Sequence, residues 1–202
     1  MMNESSFFEL NLGRGKLFLL PQFHQEEWDD WKIGKGQNIP EGQLLFIVNP
    51  CSGKKFWDVV QTGQGLLFAF SERVVKILQD NKVTGCKFYP MTIKDHEDMK
   101  YYLLTVTGRC GALDDSKSKV IMTQEYPQTK IQNSDIVIPQ GQYSLMKGRY
   151  FPLDSWDGSD IFMPEGTLFT YVTERVMKLL KKHKITNINM VNLTEIEWIP
   201  ST

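Results

Sequence analysis

The stretch SERVVKILQDNKVTGCKF, beginning at Ser71, returns as TERVMKLLKKHKITNINM, beginning at Thr173. No other feature limits so strongly what this chain can fold into. The correspondence runs upstream without a gap: DVVQTGQGLLFAFSERV from Asp58 lies over DIFMPEGTLFTYVTERV from Asp160, and Pro50 over Pro152. Glu72 matches Glu174, Arg73 matches Arg175, Val74 matches Val176 and Lys76 matches Lys178. Leu78 with Leu180, Lys82 with Lys184 and Thr84 with Thr186 complete the identities in the helical part. Identities at one constant offset point to an internal repeat. Two copies are too few for a solenoid, which needs about three or more units to bury its faces.

The unit is legible. GLLFAF and TLFTYV are short apolar and aromatic runs introduced by glycine and polar residues, the pattern of buried strands. Ser71 and Thr173 then stand at N-cap positions, where a hydroxyl accepts a free amide of the first turn. Glu72 and Glu174 place a carboxylate at the positive helix end. Val74, Ile77 and Leu78 fall on one helical face, and Val176, Leu179 and Leu180 repeat it. The first helix should stop near Asn81, with Gly85 in the return turn; Asn187 holds that turn in the second copy. CKFYPMTI and INMVNLTEIEW follow as strands.

Outside the repeat, FFELNL, KLFLL, QLLFIV, KYYLLTVTG and SDIVI read as strands, with YSLMKGRYF weaker. NLGRGKL suggests a hairpin turn. A polar insertion, residues 24–43, separates KLFLL from QLLFIV, and GALDDSKSKV is a loop leading into a strand near Val120. No linker-like stretch divides the chain. The expected class is therefore α+β: two related strand–helix–strand lobes with mixed or antiparallel sheets, residues 1–100 and 101–202, packed into one structural unit.

Composition narrows the function. At 202 residues, with 41% hydrophobic and 23% charged residues, the chain is that of an ordinary globular protein. A net charge of -1 withholds the basic surface that nucleic-acid binding needs. The apolar runs are too short to span a bilayer, and the amino terminus lacks the pattern of a secretory signal. Cys51, Cys86 and Cys110, odd in number and without CxxC spacing, read as reduced thiols of a cytoplasmic protein, Cys86 as buried filler. Of five Trp and twelve Phe, most should fill a β-rich core, leaving some Trp for a recognition surface.

Catalytic constellations are sparse. His96 lies in the polar KDHEDMK and His183 on a Lys-rich helical face, neither at metal-ligand spacing from a second His or Cys. His24 with Glu27 and Asp29 is a conceivable metal or hydrolase site, but nothing in the spacing fixes its geometry. No nucleophile elbow, P-loop or dinucleotide fingerprint occurs. Adjacent carboxylates such as Asp114 and Asp115 diverge on regular elements and make poor acid–base pairs. The repeated Glu-Arg pair is explained by helix-end electrostatics. The chain is expected to be no enzyme and to carry no metal or cofactor.

At this point a resemblance enters. GLLFAFSERVVKILQDNKVTGCKFYPM is similar to the strand–SER–helix–TG–strand segment of bacterial polymorphic-toxin immunity proteins of the Imm-eleven group. YYLLTVTGRCGALDDSKSKV and FPLDSWDGSDIFMPEGTLFTYVTERVMKLLKKHKIT resemble that group's following and closing sections. The similarity covers roughly residues 58–196; Thr173 replaces a serine, and Asn187 stands where the group usually has glycine. The resemblance implies a cytoplasmic antidote in interbacterial competition, holding one cognate toxin domain and turning over nothing. It names no toxin and carries no catalytic residues.

Two stretches are candidates for the toxin-facing surface. In HQEEWDDWKIG, four carboxylates (Glu26, Glu27, Asp29 and Asp30) interleave with Trp28 and Trp31, a pattern suited to a basic partner. The competing account is a helical turn whose Trp side chains pack inward beneath solvated acids. In LDSWDGSD, Trp156 stands beside Asp154 and Asp157, although a loop also fixes itself with one buried Trp. An alternative function is a small-molecule or peptide-binding module with its ligand between the lobes, which a deep apolar pocket would favour.

Overall fold

The computed structural model describes residues 4–22, 28–63, 67–130, 137–138 and 140–200. Its first half runs β1 (Phe7–Leu12), β2 (Phe18–Pro21), the short helix α1 (Asp30–Gly34), β3 (Leu44–Val48), β4 (Val59–Thr62), β5 (Leu67–Ser71), α2 (Glu72–Asp80) and β6 (Cys86–Ile93). Then come β7 (Tyr101–Val106), β8 (Gly108–Cys110), β9 (Lys119–Tyr126), β10 (Thr129–Lys130), β11 (Val137–Ile138) and β12 (Gly141–Lys147). The chain ends with β13 (Ile161–Pro164), β14 (Tyr171–Thr173), α3 (Glu174–Lys182), β15 (Ile188–Asn192) and β16 (Glu197–Trp198). The class is α+β, with strand-rich lobes in mixed and antiparallel sheets.

Six strands of the first lobe close into a barrel in the order β2-β3-β6-β7-β5-β4. The second lobe is an open five-stranded sheet, β15-β1-β14-β13-β8. The two orders correspond strand for strand, with β15, β1, β14, β13 and β8 in the places of β6, β7, β5, β4 and β2. The registers agree as well: Val59 opposes Phe70 in the barrel, and Ile161 opposes Val172 in the sheet. The β2–β4 and β8–β13 pairs are both parallel. Among the described residues the open sheet has no strand in the place of β3. Its nearest equivalent, β12, pairs instead with β9 and β16 in a separate three-stranded sheet.

Larger side chains occupy the inner face of the open sheet. Where the barrel has Val60 and Ala69, the sheet has Phe162 and Tyr171, and these pack with Phe7 and Phe151 at centroid distances of 5.2–6.4 Å. Phe151, Leu193 and Ile196, none of them on the sheet, complete that cluster. One polar pair enters this region: Arg149 lies 3.3 Å from Glu9 and stacks on Phe169 at 4.0 Å.

The chain passes between the lobes twice. β1 lies between β14 and β15 in the open sheet, whereas β7 lies between β5 and β6 in the barrel. A hairpin at NLGRGKL is therefore not formed, because β1 and β2 belong to different sheets. Its glycines serve close approach instead: a Cβ on Gly15 would stand 2.6 Å from Asn187.

The two helices meet over one shared core. Val74, Val75 and Leu78 of α2 are buried with Val176 and Leu180 of α3, and Leu10, Val59, Phe70, Ile161 and Val172 line the same cluster. Val74, Leu78, Val176 and Leu180 lie on the face that the 3.6-residue spacing predicts, whereas Ile77 and Leu179 pack at its edge and Val75 and Met177 are buried in their stead. Asn81 ends α2 and His183 ends α3. Each exit then turns through the left-handed region twice, at Lys82 and Gly85 and at Lys184 and Asn187. Glycine is required at 85, where a Cβ would stand 2.0 Å from the Ile161 carbonyl oxygen. Asn187 has room because Gly13 and Gly15 face it. It accepts the Gly15 amide at 2.6 Å and donates to the Val59 carbonyl at 2.8 Å.

INMVNLTEIEW is not one strand but β15, a 3₁₀ turn at Leu193–Glu195 and β16, because Asn192 caps the turn by accepting the Thr194 amide at 3.0 Å. Of SDIVI, Val137–Ile138 forms β11 and the rest lies outside the described residues.

Candidate interaction surface

Two carboxylates organise the surface where the lobes meet. Asp58 accepts the amide and the hydroxyl of Thr186, each at 2.9 Å, and Arg73 at 2.9 Å. Asp160 mirrors it, accepting the Thr84 amide at 3.1 Å and hydroxyl at 3.3 Å, and also Arg175. Each arginine then donates to the carbonyl that ends the opposite helix, Arg73 to His183 and Arg175 to Asn81. The helices thus lie antiparallel, each braced by the other's repeat.

These bonds revise the local expectation for Ser71 and Thr173. Neither hydroxyl caps its helix; Ser71 donates to Asp58 at 3.3 Å and Thr173 to Asp160 at 3.2 Å. Each hydroxyl gives its proton to a charged acceptor, and that orientation turns its oxygen away from the first-turn amides. The Glu-Arg pairs part company too, with Glu72 turned to Lys100 at 3.5 Å and Glu174 to Lys178 at 2.9 Å.

The predicted partner-facing residues fall in different environments. Glu26, Glu27 and His24 lie outside the described residues. Trp28 is 6% exposed, packs edge-on to Phe46 in the barrel core and donates from Nε1 to Asp30 at 2.6 Å. Asp30 is itself only 5% exposed. Asp29 is the N-cap of α1, accepting the Trp31 amide at 2.9 Å. Trp31 is 45% exposed, with the Lys35 ammonium 4.3 Å from its ring centre. HQEEWDDWKIG thus splits, one Trp turned inward and one outward, because Trp28 precedes the extended Asp29 N-cap while Trp31 lies in the first turn of α1.

In the second stretch, Trp156 is half-buried against Phe7 and Phe162 and donates to the Ser159 carbonyl at 3.0 Å. Asp157 accepts the Arg109 amide at 2.7 Å and the Ser159 amide at 2.9 Å, tying the loop to β8. Burial pushes the Asp157 carboxyl up, but these hydrogen bonds and the Arg109 charge outweigh it and hold the group below its ordinary value. Asp154 is exposed. Among the described residues Trp31, Asp29, Asp154 and Asp157 are the expected ones that are exposed, Asp157 with its carboxylate already bonded.

Two open depressions flank α2. One, of about 850 Å³, is lined by Glu72, Val75, Lys76, Ile77, Gln79 and Tyr102 among others. The other, of about 520 Å³, lies over Phe56, Trp57, Asp58, Arg73, Tyr101 and Thr186. His96 leans edge-on against Phe56 at 5.0 Å. Among the described residues no group of three or more His, Cys, Asp or Glu is placed to hold a metal ion. Cys51 is exposed, Cys86 half-buried and Cys110 buried. Burial, with Asp160 and Asp157 respectively nearby, pushes the Cys86 and Cys110 thiols up to about 12. No helix among the described residues is long and apolar enough to cross a membrane.

No curated protein matches the chain. A family model does, described as the immunity protein family (Imm11), and it matches residues 16–194. That span takes in the whole barrel, both helices and the reciprocal Asp58 and Asp160 braces, while β1 lies before it. The match covers most of the chain, and the protein therefore belongs to the Imm11 immunity protein family.

Proposed function

We propose that the protein is a cytoplasmic antidote of a polymorphic toxin system, which binds one cognate toxin domain, neutralises it by contact and protects the producing cell and its siblings. The family match over residues 16–194 carries this conclusion. The architecture is compatible with it. The polar groups at the lobe junction are spent on bracing the helices, and Trp31, Asp29 and Asp154 offer an exposed acidic-aromatic set to a partner.

Neutralisation is stoichiometric, so the toxin is inhibited at one antidote per toxin and no substrate is consumed. The test is co-expression with the toxin encoded by the adjacent reading frame. Growth should be rescued by the wild-type chain, and the two proteins should co-purify. Failure of both, with the antidote soluble and the toxin active, overturns the proposal. Trp31→Ala combined with Asp29→Ala should weaken the complex if this surface is the contact.

A further inference from the structure

The two ends of the molecule that the repeat makes equivalent differ in charge: one gathers cations, whereas the other mixes Asp80, Asp154 and Asp157 with Lys82. At one end, Thr186 meets Asp58, the His183 carbonyl meets Arg73, Asn187 meets Gly13 and Gly15, and the Gly53 amide reaches the Lys16 carbonyl at 2.9 Å. Arg14, Lys16, Lys54, Lys55, Lys181, Lys182 and Lys184 each lie within three residues of one of these bonds, and all are exposed. Three distant segments thus converge into one basic face. None of these seven has a carboxylate within salt-bridge distance among the described residues; Lys55 instead sits 3.8 Å over the Trp57 ring. Of the acids alongside, Asp58 is committed to Thr186 and Arg73, and Glu72 to Lys100.

The repeat supplies an internal control. Lys181 and Lys182 occupy the places that Gln79 and Asp80 hold on α2, and Lys54 and Lys55 those of Trp156 and Asp157. Both copies build the same helix, the same exit turn and the same brace. The scaffold therefore does not require cations at these four positions, whereas Lys184 is matched by Lys82. Like charges gathered within about one Debye length repel one another and cost stability. A favourable interaction of Lys181 and Lys182 with the helix C-terminus is worth only about 0.3–1 kcal/mol each and gives no reason for Arg14, Lys16, Lys54 and Lys55.

Resting on the antidote function proposed above, we infer that this basic face is a docking surface for a carboxylate-rich face of the toxin domain. A finite protein patch fits one end of the molecule. A nucleic-acid duplex would run on toward the other end, where Asp80, Asp154 and Asp157 are exposed. The cations act mainly before contact: a complementary field raises the encounter rate, and salt abolishes the gain.

The experiment measures association of the full chain with the toxin domain encoded by the adjacent reading frame, at about 50 and about 300 mM NaCl. One variant transplants the α2 residues onto α3, Lys181→Gln with Lys182→Asp and His183→Asn, and its fold is checked by melting temperature. A second carries Lys54→Glu and Lys55→Glu. Each should associate about tenfold more slowly at low salt, with the salt dependence flattened. Association within about twofold of wild type in both variants overturns the docking assignment while leaving the antidote function standing. A wild-type chain that binds no toxin domain removes the function and the assignment together. Retardation of a DNA duplex of about 30 base pairs by wild type, lost in both variants, gives the face to nucleic acid and also overturns the inference.

Discussion

The Asp58 carboxylate accepts both the amide and the hydroxyl of Thr186, each at 2.9 Å, across the join between the two repeats. Asp160 makes the same bonds to Thr84 in the reverse direction. Each half of the molecule therefore closes the helix exit of the other, and the helices cannot separate without exposing two partly buried carboxylates.

Removing either acid should be costly. Asp58→Ala leaves the Thr186 amide and the Arg73 cation without their acceptor, and we expect a loss of about 2–3 kcal/mol in urea denaturation. Asp160→Ala should match it. A double-mutant cycle of Asp58→Ala with Thr186→Val should return a coupling of about 1 kcal/mol or more.

Acid should weaken the same brace. Burial pushes the Asp58 carboxyl up, but the Thr186 amide and hydroxyl and the Arg73 charge pull it further down, below its ordinary value of 3.8. A lowered value means that the ionised form is bound by the fold. Its stabilisation is complete above the unfolded-chain value and disappears as the pH falls through the lowered one. Asp157 acts in the same sense. Stability measured against pH should be level above about pH 5 and decline below about pH 4, and Asp58→Asn should flatten that decline.

The two helix exits make an informative pair. Gly85→Ala drives a methyl into the Ile161 carbonyl, 2.0 Å from the ideal Cβ position, at a left-handed residue. We expect more than about 2 kcal/mol of destabilisation. Asn187→Gly keeps the backbone shape and loses the bonds to Gly15 and Val59, for about 1–2 kcal/mol. Thermal or denaturant unfolding ranks them.

Thiol titration offers a direct check on packing. With Cys86 and Cys110 pushed up to about 12 and at least half-buried, only the exposed Cys51 should react promptly with a disulfide reagent at neutral pH. The count should rise to three in denaturant. Rapid reaction of all three in the native protein would contradict the burial described above.

Breaking the Glu9–Arg149 pair tests how the open sheet is filled. Arg149→Ala strands a Glu9 carboxylate that is 9% exposed and removes the guanidinium from Phe169. A loss of about 3 kcal/mol is expected, and Glu9→Gln in the same background should recover part of it.

The parts of the fold legible in the sequence are those set by short-range periodicity. The apolar faces of α2 and α3, the strand runs and the helix exits at Asn81 and Asn187 follow from residues within a few positions of one another. Partner choice between strands does not. NLGRGKL has the composition of a hairpin turn, yet the partners of β1 lie more than a hundred and fifty residues away, and nothing local marks them. The hydroxyls of Ser71 and Thr173 likewise answer to carboxylates thirteen residues upstream. The available signal was the identity of Asp58 and Asp160 at matching repeat positions. For the candidate surface, composition located Trp31 but could not separate it from Trp28, since the direction of each ring depends on how α1 seats on the barrel.

The placement of β1 also sets the order in which the molecule can be completed. Synthesis reaches this strand well before its neighbours β14 and β15, which lie more than a hundred and fifty residues further along the chain. Until then an apolar ribbon waits unclaimed, and neither half of the gene, expressed alone, encodes a finished lobe. The open sheet can therefore close only after β15 has been made.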